Sequence, residues 1–118
     1  MQPSHLLEGI KLFNRQAFFE AHEVLEDVWR ASPKSEKKFL QGMIQIAVGL
    51  HHYGNGNLVG ARSLLGRAAQ NLASYPENFG GIRMTQLLIR LAEWQQALAE
   101  NKPPPPFPIL DVELESSQ

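Results

Sequence analysis

Cysteine is absent from the chain. Its absence removes disulfides, thiolate metal ligands and cysteine nucleophiles together, and it fits a reducing compartment. Positive charge is not in excess either: 11 Lys and Arg against 12 Asp and Glu give a formal net charge of −1. With no basic field to hold a phosphate backbone, nucleic acid is not an expected partner. Long hydrophobic runs are also missing. The strongest, Phe39 to Leu50, is interrupted by Gln41, Gly42 and Gln45 and is too short and too polar to span a bilayer. The opening MQPSHLLEGIKLFNRQ has neither a basic start nor an apolar stretch of signal-peptide length. No membrane partner is expected, and the expected setting is the cytoplasm. β-Branched residues are sparse and alternating runs few, so no strand pattern competes with helix.

What is present reads as helix and turn. With 43% hydrophobic and 19% charged residues across 118 positions, the chain suits one globular domain with a modest core. Ser4 is a candidate cap for a first helix bearing Leu6, Ile10 and Phe13 on one face. Asn14 should break it and cap a second helix from about Gln16 to Ala31. Ser32 followed by Pro33 reads as a cap and first helical position for a third, extending to about Tyr53. The segment YGNGN is a turn, after which Asn57 can cap a fourth helix with an apolar stripe of Leu58, Ala61, Leu65, Ala68 and Leu72. A fifth, from about Met84 to Glu100, carries Leu87, Leu91, Trp94 and Leu98. Four consecutive prolines then forbid further helix. Residues 102–118 read as a proline-rich tail or a strap held down by Phe107, Ile109 and Leu110, with disorder expected in the final ESSQ. The expected domain is 1–101.

An ungapped shift of 40 residues places Gly9 on Gly49, Ala21 on Ala61, Leu25 on Leu65 and Phe13 on Tyr53. The expectation is an all-α, compact bundle of about five helices: two helical hairpins, weakly tetratricopeptide-like, plus a fifth helix.

Five polar residues crowd the stretch FFEAHEVLEDVW. At about 100° per residue, Glu20, Glu23 and Asp27 turn outward, leaving His22 and Glu26 at the edge of the apolar face beside Phe18, Phe19 and Trp29. An i, i+4 His–Glu pair can hydrogen bond or share a ligand. The segment HEVLE lacks the second histidine of a zincin motif, so a metal would need a ligand from elsewhere. No charged residue occurs from Phe39 through Ala61, which predicts a largely buried third helix. Its thin polar stripe of Gln41, Gln45 and His52 is either a strip of solvent contact or the far wall of a polar pocket facing His22 and Glu26. Gly42 and Gly49 lie on another side, where a neighbouring helix can approach closely. His5 and His51 read as incidental or packed. Ser32, Ser35, Ser63 and Ser74 have no nucleophile motif around them, and Trp29 and Trp94 read as packing residues.

The stretches LFNRQAFFEAHEVLEDVWR and FLQGMIQIAVGLHHYGNGNLVGARSLL resemble a small bacterial family, domain of unknown function 309. The resemblance runs from Phe13 to Leu65 and implies a compact all-helical domain. It places the family's polar signature on Asn14, Glu20, His22, Glu23, Glu26, Gln41, Gln45 and His52, and it implies no reaction.

Taken together, the expected function is non-catalytic binding of a protein partner or small ligand by a helical domain with a buried His/Glu/Gln network, either alone or as a homodimer. The Gly42/Gly49 side or exposed parts of the hairpins would supply the contact surface. The alternative is a metal-dependent hydrolase in which His22 and Glu26 bind a divalent cation with His52 as third ligand or base. A peptide-binding helical repeat is a third reading.

Overall fold

A computed structural model describes residues 1–112. Five α-helices follow one another: α1 Pro3–Asn14, α2 Phe18–Arg30, α3 Lys34–Gly54, α4 Leu58–Leu72 and α5 Met84–Ala99. Each packs mainly on its neighbours in sequence, α1 on α2, α2 on α3, α3 on α4 and α4 on α5. The only β feature among the described residues is an isolated antiparallel bridge between Ile82 and Val112. No helix of the described residues is long and apolar enough to cross a membrane. The expected disorder of residues 115–118 lies outside the described residues.

The 40-residue repeat is geometric as well as textual. A Cβ on Gly9 would lie 2.9 Å from Leu25 Cδ2, and one on Gly49 would lie 3.4 Å from Leu65 Cδ2. The same glycine thus faces the same leucine in hairpins α1–α2 and α3–α4. Their turns repeat too. Gln16 N–H donates to the Phe13 carbonyl and Ala17 N–H to that of Leu12; one repeat later Gly56 N–H donates to Tyr53 and Asn57 N–H to His52. This is a Schellman closure, which needs a left-handed residue just past the helix. Gln16 has φ 66° and Gly56 φ 80°.

Several caps depart from expectation. Gln2 is the N-cap of α1 and Ser4 lies inside it. Asn14 is the last residue of α1, while Ala17 stands at the N-cap of α2. Pro33, not Ser32, precedes α3. Ser32 is buried, and its hydroxyl donates back to the Val28 carbonyl at 2.5 Å, which closes α2 instead of opening α3. Asn57 does cap α4, its Oδ1 accepting Gly60 N–H at 2.9 Å.

The glycine side of α3 is not a free surface. Added Cβ atoms at Gly42 and Gly49 would meet Leu72 at 2.8 Å and Leu64 at 3.3 Å, so α4 covers this side. The expectation that it could bind a partner is corrected: both glycines serve internal packing, letting α3 and α4 approach closely.

Past α5 the chain runs back over the helices as a strap. Phe107 stacks on Trp94 (5.4 Å, 19°) and meets Phe18 at 5.4 Å. The Pro106 carbonyl accepts from Trp94 Nε1 at 3.0 Å and Arg90 Nη1 at 2.9 Å. Pro108 and Leu110 are buried, so the strap completes the core and ties α5 back to α1 and α2.

Candidate functional site

The helical register of α3 decides what faces α2. Leu40 and Ala47 are buried, and at about 100° per residue Ile44 and His51 share their side. Gln41, Val48 and His52 form the outermost ridge, and Gln45 leans the other way. Antiparallel packing then sets the N-terminal end of α2 beside the C-terminal end of α3. Accordingly the Phe19 ring lies between two imidazoles, 5.0 Å from His22 and 5.3 Å from His51. At the other end Glu26, Trp29 and Arg30 of α2 enclose a depression of about 250 Å³ with Gln41 and Ile44 of α3. Phe19 and His51 line a separate depression of about 380 Å³ with Leu50 and Phe107, and these two depressions on the α2–α3 boundary are together called the furrow.

Its polar groups are held in defined orientations. His22 Nδ1 lies 2.7 Å from the Phe19 carbonyl. A carbonyl only accepts, so Nδ1 carries the proton. His22 Nε2 then faces Glu26 Oε2 at 3.8 Å, and Glu26 Oε1 reaches Arg30 Nη2 at 3.6 Å. Arg30 also holds Asp27 at 2.7 Å. Trp29 is half-buried, with Lys37 Nζ 4.0 Å above its ring, a cation–π contact. Phe19 is 49% exposed, unusual for a ring fixed on both sides. Phe18, expected beside it, turns into the core against Phe13 at 5.1 Å.

The five candidate pocket residues do not form one network. Gln45 accepts from Asn71 Nδ2 of α4 at 2.7 Å, and His52 Nδ1 lies 3.4 Å from Asn57 Nδ2. Both look toward α4, away from His22. Gln41 alone of the α3 stripe joins Glu26. Nor is the set buried: Ser32 is the only buried polar residue among those described, whereas the His22 and Glu26 side chains are 19% and 42% exposed. The expected buried network is therefore corrected to a half-exposed furrow and a separate α3–α4 polar seam. No group of three or more His, Asp or Glu among the described residues could hold a metal ion, so His22, Glu26 and His52 do not make a three-ligand set.

His51 is the residue missed. Its position near the apolar arc of α3 was the available signal, because that arc is the side packed on α2. Its Nε2 lies 3.2 Å from Asn55 Nδ2. Glu20, Glu23 and Asp27 are exposed as expected.

Two curated bacterial proteins are similar to this chain. One is an "Uncharacterized protein" of Aquifex aeolicus (strain VF5), 34% identical over 89 residues, which are 75% of this chain and 27% of that protein. The other, "Uncharacterized protein YpuF" of Bacillus subtilis (strain 168), is 39% identical over 56 residues, 47% of this chain and 32% of its own length. The chain thus spans about a third or less of the curated relatives it matches. Residues 6–64, which hold α1 to α3 and the start of α4, match the family described as "Domain of unknown function (DUF309)". The chain belongs to that family.

Proposed function

We propose that this domain is a non-catalytic binding module whose contact surface is the α2–α3 furrow. The observation that carries the reading is the half-exposed Phe19 ring between His22 and His51. Burying an exposed aromatic gives a large apolar gain, and a ring already fixed in place loses little side-chain freedom on binding. Ile44 and Trp29 supply the apolar lining of the depression at the other end, where Glu26, Arg30 and Gln41 form a polar rim. This mixture of apolar anchors and polar rim suits a polypeptide segment laid along the furrow. Much of the family-matched segment contributes to it, and the matched relatives carry most of their length outside the matched region. A cytoplasmic setting is part of the proposal, supported by the absence of cysteine.

The metal-hydrolase alternative would require His52 to share a ligand with His22 and Glu26, and His52 sits beside Asn57 instead. Phe19→Asp separates surface from scaffold. It should cut retention of the partner by the tagged domain about tenfold or more, with the melting temperature unchanged. Ile89→Asp, on the exposed side of α5, should not. Equal loss from both substitutions, or from neither, would reject the furrow as the contact surface.

A further inference from the structure

Helices α4 and α5 carry a second, chemically different feature. Between α4 and α5 runs an open groove of about 460 Å³ lined by Arg62, Ser63, Gly66, Arg67, Gln70 and Gln95. Among the described residues, none of these side chains makes a hydrogen bond or ion pair, and two of them are guanidinium groups. No Asp or Glu occurs between Glu36 and Glu77, so neither α4 nor the body of α3 beneath it offers a carboxylate. On α5 the nearest acid in sequence to Gln95 is Glu93, which is committed to Arg90 at 2.9 Å. Gly66 keeps the floor low: a Cβ there would come 3.3 Å from Gln95 Nε2. The result is a cluster of donors with two uncompensated positive charges on a chain of net charge −1.

We infer that this groove binds a small soluble oxyanion bearing at least two negative charges, of the phosphate-ester or diphosphate type. Guanidinium groups present paired N–H donors that match phosphoryl oxygens. The serine hydroxyl and glutamine amides can donate to the oxygens that remain. The groove is open enough for such a ligand to enter without rearrangement. A duplex or membrane surface would need a broader basic field than two arginines.

Pyrophosphate titrated into the ¹⁵N-labelled full chain, at a constant ionic strength of about 0.15 M to screen weak surface attraction, tests this. The expected result is saturable shifts of the Arg62 and Arg67 Nε–H and the Gln95 side-chain amide, with a dissociation constant below about 1 mM. The double variant R62Q/R67Q should weaken binding about tenfold or more, and K38Q should leave it unchanged. Both arginines are exposed, so the unliganded spectrum of the double variant should otherwise superimpose. Linear, unsaturated shifts of similar size at Lys34 and Lys38 would overturn the site. So would saturation of the same residues by a hexaglutamate peptide when pyrophosphate has no effect.

Discussion

Asn14 holds Leu110 with both ends of its carboxamide: Nδ2 donates to the Leu110 carbonyl at 3.1 Å, and Oδ1 accepts the Leu110 N–H at 2.8 Å. The last residue of α1 thus pairs with the strap as a neighbouring strand would. Asn14→Ala removes both bonds and strands two backbone groups of a buried residue. A loss of about 1–2 kcal/mol is expected, or about 4–8 °C in melting temperature. Hydrogen exchange locates the effect: the Leu110 amide should lose protection while α3 amides keep theirs.

The repeat predicts a stabilising substitution. Gln16 adopts the left-handed conformation that Gly56 adopts one repeat later. A side chain there costs about 1 kcal/mol that glycine avoids, partly offset by glycine's greater freedom when unfolded. Gln16→Gly should raise the melting temperature by a few degrees and Gly56→Gln should lower it. Thermal denaturation of the two variants checks both signs.

Close helix approach gives a contrast between two helical glycines. Gly42→Ala would set Cβ 2.8 Å from Leu72 Cγ, and overpacking of this kind costs about 1–3 kcal/mol. At Gly54 an added Cβ meets nothing within 4 Å. Gly54→Ala should be neutral or gain up to about 0.5–1 kcal/mol from helix propensity. Urea denaturation curves should separate the two variants by their midpoints.

The chemistry of the furrow predicts its response to metal. His22 and Glu26 supply two donors without a third, so zinc titrated by calorimetry should show no stoichiometric binding tighter than about 10 μM. One zinc per chain, abolished by His22→Ala, would instead revive the hydrolase reading.

Legibility in the sequence followed the range of the interactions. Helix positions, the Asn57 cap and the outward turn of Glu20, Glu23 and Asp27 depend on neighbours a few residues away, and all were readable. The Gly9–Leu25 and Gly49–Leu65 contacts were readable as a repeat because both hairpins solve the same packing problem. Residues whose partners lie far along the chain were not. Asn14 reads as a helix cap because nothing local names Leu110, 96 residues away. Ser32 is misread for a different reason: its partner Val28 is only four residues back, whereas the Ser-Pro pair points forward to α3. The site failed for a related reason. Helical spacing puts Gln41, Gln45 and His52 on one polar arc, but only Gln41 and His52 share the outer ridge, while Gln45 leans to Asn71 of α4. Which side of α3 meets α2 is a tertiary fact, and it put His51 in the furrow and His52 outside it.

The central claim is that partners meet this domain along Phe19 and Ile44. Its most direct test places the photo-reactive residue p-benzoylphenylalanine at 19, 44, 89 or 109, one position at a time, in cells of the source organism. The furrow account predicts a discrete cross-linked adduct from positions 19 and 44 that is lost when His51→Asp is added, with none from 89 or 109. Adducts from 89 and 109 alone would contradict it, as would labelling of equal strength at all four positions.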